Sequence, residues 1–86
     1  MKHKDGETPL SRAALRGYKA VTQLLLATGK ADANIQDKYG WTPLLTAVEG
    51  GHEVIVQLLL ATDKVDANIQ DKDGWTPLSR AVFMWA

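Results

Sequence analysis

Apolar residues in this chain come in short clusters, each followed by polar or glycine-rich positions. Leu44 and Ala47 stand three apart and share a helical face, with Val48 next. Thr42 just before them is a good N-cap, because its hydroxyl can accept from a free N–H of the first turn. Pro43 then occupies the first helical position, where its missing N–H costs nothing. Glu49-Gly50-Gly51 ends this helix after about two turns, since a glycine can take the left-handed conformation there. A second cluster, Ile55, Leu58 and Leu59, has helical spacing again, with Glu53 favourably placed in its first turn. Residues 65–74 are rich in Asp and Asn and predict a turn-filled connector with a hairpin near Asp71–Gly74.

The pattern repeats. Gly40-Trp41-Thr42-Pro43-Leu44 returns as Gly74-Trp75-Thr76-Pro77-Leu78 and is foreshadowed by Gly6-Glu7-Thr8-Pro9-Leu10. The shared Thr-Pro recurs at a constant interval from Thr8 to Thr42 to Thr76, within the period of about 20–50 residues that marks a stacked array. Helices are predicted near Pro9–Leu15, Lys19–Thr28, Pro43–Glu49 and His52–Thr62, with a last one starting at Pro77. Each is shorter than the roughly 12–15 residues at which an isolated helix becomes marginal, so each unit needs neighbours. The predicted core is Leu10, Ala13, Ala14, Val21, Leu24, Leu25, Leu44, Ala47, Val48, Ile55, Leu58, Leu59, Leu78 and Ala81.

The unit resembles an ankyrin repeat. The residues that carry the resemblance are Gly40, Thr42-Pro43-Leu44, Ala47, Gly51-His52, Ile55-Val56, Leu58-Leu59-Leu60, Asp66, Asn68 and Asp71, with their counterparts from Gly6 to Asp37. The resemblance implies an all-α solenoid of stacked helix-turn-helix units with hairpin-like connectors. It divides the single domain of residues 1–86 into repeats at about 5–38 and 39–72, plus the first helix of a third at about 73–86. There are departures. Ser11, Leu45 and Ser79 replace the usual His after Thr-Pro-Leu, and the period is one residue longer than the customary 33. Asp63 stands where Gly29 ends the earlier helix, and a carboxylate side chain is less at ease in the left-handed conformation. No polar capping repeat is evident at either end, which reads as a piece of a longer array.

Composition narrows the function. Without cysteine, disulfides and Cys-based metal or redox sites are excluded. Met1–Leu10 lacks the apolar segment of a signal peptide, and no apolar run is long enough to span a bilayer, so the expectation is a cytoplasmic or nuclear protein without membrane contact. Formal net charge is zero but unevenly spread. Residues 1–38 hold seven Lys and Arg against four Asp and Glu, whereas residues 39–86 hold three against six. Overall neutrality argues against nucleic-acid binding.

Catalytic or cofactor sites find no support. His3 and His52, the only histidines, lie far apart, and neither has a set of partners. Ala27-Thr28-Gly29-Lys30 resembles the tail of a phosphate loop but lacks its first glycine and follows a helix. Asp32 and Asp66, like Asp37 and Asp71, recur once per unit, which points to turn hydrogen bonding. A non-catalytic protein with no cofactor, metal or small-molecule substrate is expected.

The resemblance implies a partner-binding surface made of hairpin tips and the open side of the first helices, with another protein as partner. Position by position this is Lys38, Tyr39, Trp41, Leu45, Thr46 and Glu49; Lys4, Asp5, Glu7, Arg12 and Arg16; and Lys72, Asp73, Trp75 and Arg80. Trp41 and Trp75 admit two readings, as anchors for a partner or as staples between units. The near-identical connectors, with Ala-Asn-Ile-Gln-Asp-Lys at both 33–38 and 67–72, also suit a structural spacer within a longer array. The apolar run Val82-Phe83-Met84-Trp85 suggests self-association through an uncovered end.

Overall fold

The computed structural model describes residues 7–85 and contains five α-helices. They are α1 Pro9–Arg16, α2 Lys19–Ala27, α3 Pro43–Glu49, α4 Glu53–Ala61 and α5 Pro77–Trp85. Each of α1, α3 and α5 begins with the proline of a Thr-Pro pair, and no strand occurs among the described residues. The three Thr-Pro helices pack in sequence, α1 against α3 and α3 against α5. Behind them α2 packs on α1, α4 on α3, and α2 on α4. Two helix pairs and one single helix therefore form a two-layered stack.

Serine at the position of the family's usual histidine caps two of the Thr-Pro helices. The Thr8 N–H donates to Ser11 Oγ (2.7 Å), and the Ser11 N–H donates to Thr8 Oγ1 (3.1 Å), closing a reciprocal cap on α1. Thr76 and Ser79 repeat the arrangement. On α3 only one half remains, the Leu45 N–H donating to Thr42 Oγ1 at 3.3 Å. Leu45 points inward instead and is 1% exposed. It was expected on the open face; the equivalent Ser11 is buried as well, and burying a leucine there is worth more than a second cap bond.

The α1–α2 turn is fitted to its neighbour. Gly17 takes φ 72°, and the imidazole of His52 lies where a side chain at Gly17 would stand. The ring's Nε2 is 3.0 Å from the Leu15 carbonyl oxygen, tying the second helix pair to the first. At the end of α4, Thr62 is extended and Asp63 does not enter the left-handed region that Gly29 uses. The two second helices thus leave by different routes.

Leu10, Ala14, Ala33, Leu44, Ala47, Ile55 and Leu59 form the core, and Ala13 and Val48 are buried beside them. Three expected members are exposed: Val21, Leu24 and Leu78. Val21 and Leu24 match Ile55 and Leu58 of α4, whose inner face rests on α2. Among the described residues no helix lies beyond α2, so its corresponding face stays open and Thr22 on the inner side is buried instead. Leu78 is 72% exposed although Leu10 and Leu44 are buried, since no second helix among the described residues folds over α5. Leu25, Leu58 and Ala81 are half-buried.

Ala47 is fully buried at the middle of α3, between α1 and α5. Ala47→Leu should lower the free energy of unfolding by about 1–3 kcal/mol through overpacking. Urea unfolding of that variant at wild-type midpoint would show that α3 has slack on this face.

Candidate functional site

Each hairpin is built by one aspartate. The Asp37 carboxylate accepts from the N–H groups of Tyr39 and Trp41, both at 2.9 Å, while its backbone N–H donates to the Trp41 carbonyl. Asp71 does the same for Asp73 and Trp75. Such side-chain bonds replace a strand ladder in so short a loop. Neighbouring hairpins are then joined. The Lys72 N–H donates to the Tyr39 carbonyl (3.2 Å), and Gln36 Nε2 donates to the carbonyls of Gly40 (2.9 Å) and Gln70 (3.1 Å). Below them Asn34 Nδ2 donates to the Lys64 carbonyl (2.8 Å) and Asn34 Oδ1 accepts the Asp66 N–H (2.7 Å). Asp37, Asp71, Asn34 and Gln36 are hence structural.

Docked this way, the hairpin tips project beside the Thr-Pro helices and enclose a groove of about 560 Å³. Glu7, Ser11 and Leu15 of the first unit, Asp37, Tyr39, Trp41 and Thr46 of the second hairpin and α3, and Lys72 and Asp73 of the next hairpin line it. Tyr39 and Trp41 stand with ring centroids 6.2 Å apart and planes tilted by 54°, offering two aromatic edges and faces to the open space. Tyr39 is largely exposed; Trp41 is partly buried, so its ring is braced by the protein. Charge of both signs rims the aromatic pair, through Lys72 on one side and Asp73, Asp37 and Glu7 around it.

The sequence-predicted surface residues separate into groups. Tyr39, Trp41, Thr46, Lys72, Asp73 and Glu7 meet in the groove, Thr46 contributing although it is mostly buried. Lys38 flanks it, with its ammonium 5.2 Å from the Tyr39 ring centroid. Arg12 is held by Glu7 at 3.0 Å, and Arg16 is exposed at the last turn of α1. Leu45 offers nothing to a partner, since it is buried. Lys4 and Asp5 lie outside the described residues.

Glu49, Arg80 and Trp75 are occupied with one another. Arg80 forms a two-point pair with Glu49, Nε to Oε2 at 2.7 Å and Nη2 to Oε1 at 3.1 Å. The hydrogen bond that Arg80 donates to the Glu49 carboxylate raises the Arg80 pKa above its ordinary value, so the guanidinium stays charged. Its carbon lies 5.1 Å from the Trp75 ring centroid, and Trp75 meets Phe83 at 5.3 Å. These contacts fasten α5 to α3. Ser11, Leu15 and Asp37 line the groove without having been expected there. Leu15 holds the position of Glu49 in the next unit, so equivalence alone would have pointed to it.

No helix of the described residues is long and apolar enough to cross a membrane. No curated protein matches the chain. The family model for ankyrin repeats (3 copies) matches residues 10–84, the greater part of the chain. Together with the stacked helix pairs and the aspartate-built hairpins, that match shows that this chain belongs to the ankyrin repeat family.

Proposed function

We infer that this protein is a non-catalytic binding module whose groove grips a segment of another protein, with Tyr39 and Trp41 as anchors. Ankyrin repeats are in general protein–protein interaction modules. The observation that supports this site is the Tyr39–Trp41 pair in a groove lined by residues of adjacent units. Tryptophan buried at the centre of an interface is the residue type that most often dominates affinity. Lys72 and Asp73 give the pocket a polar rim that can orient the bound chain.

A peptide selected from a displayed library on the purified protein supplies a ligand for the test. Trp41→Ala should weaken that peptide's binding about 30-fold, the scale of a hot-spot residue, with a thermal midpoint close to wild type. Trp75→Ala should do the reverse, lowering the midpoint through loss of the Phe83 and Arg80 contacts and leaving affinity nearly unchanged. Full affinity in Trp41→Ala would remove the groove from consideration. The connector bonds of Asn34 and Gln36 favour a second reading, a spacer whose repeats serve only to hold register. That reading requires no selected peptide to respond to Trp41.

A further inference from the structure

The third unit shows what fits against a tryptophan at this position of the repeat. The Arg80 guanidinium carbon lies 5.1 Å from the Trp75 ring centroid, and the Glu49 carboxylate fixes the same guanidinium with two hydrogen bonds. The first unit fills the arginine position too. Arg12, two periods before Arg80, pairs at 3.0 Å with Glu7, which holds the place of Trp41 and Trp75. The second unit has Thr46 there, and a threonine carries no cation. Counted along the repeat, Trp75, Arg80 and Glu49 correspond to Trp41, Thr46 and Leu15. All three of the latter line the groove. The groove of the second unit therefore lies where the third unit holds a guanidinium.

Resting on the groove as the binding site, we propose that the partner residue gripped there is an arginine, its guanidinium lying on the Trp41 ring and paired with the Asp73 carboxylate. An arginine stem is apolar and can run along Leu15, which is half exposed. Its head is planar and more weakly hydrated than an ammonium, so it can stack on a ring while it donates to a carboxylate. The chain makes that combination itself at Trp75, Arg80 and Glu49.

Since Leu15 replaces the acid of the third unit, the carboxylate has to come from another groove residue. Three line it: Glu7, Asp37 and Asp73. Glu7 is taken up by Arg12, and one oxygen of Asp37 by the N–H groups of its own hairpin. Asp73 is exposed, and its carboxylate accepts no hydrogen bond among the described residues. Lys72 beside it and Lys38 over the Tyr39 ring balance the remaining negative charge, so the groove selects by shape and stacking more than by bulk attraction. A guanidinium meets both demands; an ammonium offers no plane to stack.

Calorimetric titration of the full chain with the selected peptides tests this. Those that depend on Trp41 should contain an arginine. Replacing that arginine by citrulline, which keeps its shape and removes its charge, should weaken binding about tenfold, the combined scale of a stacked cation and an exposed ion pair. Lysine in its place should cost about threefold. Asp73→Asn, which removes no side-chain bond of the protein, should cost the arginine peptide about threefold and the citrulline peptide nothing. The double variant Leu15→Glu/Thr46→Arg copies the Glu49–Arg80 pair into the second unit. It should keep the wild-type melt and weaken the arginine peptide at least about tenfold, because the chain's own guanidinium then fills the groove. Trp41-dependent peptides that lack arginine, or that bind equally well with citrulline, would overturn the arginine and leave the groove in place. Peptides indifferent to Trp41→Ala would overturn the groove itself. A folded double variant that binds like wild type would show that the guanidinium goes elsewhere and would overturn the proposal.

Discussion

Gly40→Ala should lower the thermal midpoint by more than about 12 °C, corresponding to a loss of about 3 kcal/mol at the scale usual for a domain of this size. Two effects combine. Gly40 has φ 80°, a left-handed conformation that costs a residue with a Cβ about 1–2 kcal/mol. The added Cβ would also stand 2.9 Å from the Lys72 backbone nitrogen and 3.1 Å from the Asp71 Cα. Backbone cannot swing aside as a side-chain end can, so the two hairpins would have to part and the Lys72–Tyr39 bond would lengthen. Gly74→Ala is the internal control. Gly74 has φ 87° at the equivalent position, but nothing lies within 4 Å of its added Cβ. It should show the conformational cost alone, about 1–2 kcal/mol. Equal melts for the two variants would mean that the hairpins do not press on each other at Gly40.

Leu59→Ala should cost about 2–5 kcal/mol in urea unfolding with an unchanged dependence on denaturant, as expected for a cavity in a filled core. Leu59 has no exposed surface and packs in the cluster that joins both helix pairs, with Leu44, Ile55 and Leu10. The adjacent Leu60→Ala should change stability by no more than about 0.5 kcal/mol, because Leu60 is 55% exposed on the outer face of α4. Similar losses at both positions would mean that α4 is turned about its axis from the orientation described here.

In the Leu58-Leu59-Leu60 run, sequence reasoning set Leu58 and Leu59 in the core, and the structure buries only Leu59 fully. Three adjacent leucines mark a helix that buries something, and helical spacing ties Leu59 to Ile55. Which residue lies deepest depends on the direction from which α2 approaches. The same limit explains Val21 and Leu24. Their apolar character suits a contact with a helix on the far side of α2, and none of the described residues forms one there. Leu45 went the other way: its position equals Ser11 and Ser79, which cap their helices, yet its size carries it into the core.

The candidate groove was half legible. Tyr39, Trp41, Lys72 and Asp73 were identifiable from their place in the repeat, because Asp37 and Asp71 fix the hairpins through local bonds. Trp41 and Trp75 occupy equivalent positions but have different neighbours. Trp41 faces the groove beside Tyr39, whereas Trp75 is covered by Phe83 and Arg80 from α5. Nothing in either tryptophan's local sequence distinguishes these surroundings.

By itself the sequence determined the units: where each helix starts, where glycine turns the chain, and how the aspartates shape the loops. Those features depend on hydrogen bonds and backbone conformations spanning at most a few residues. The tertiary structure decided what each unit meets, and with it the deeper burial of Leu59 than Leu58, the placement of Arg80 on Glu49, and the separate surroundings of the two tryptophans. A repeat offers the same positions each time, but packing depends on the neighbour supplied, and here the first and last units are bounded differently from the one between them.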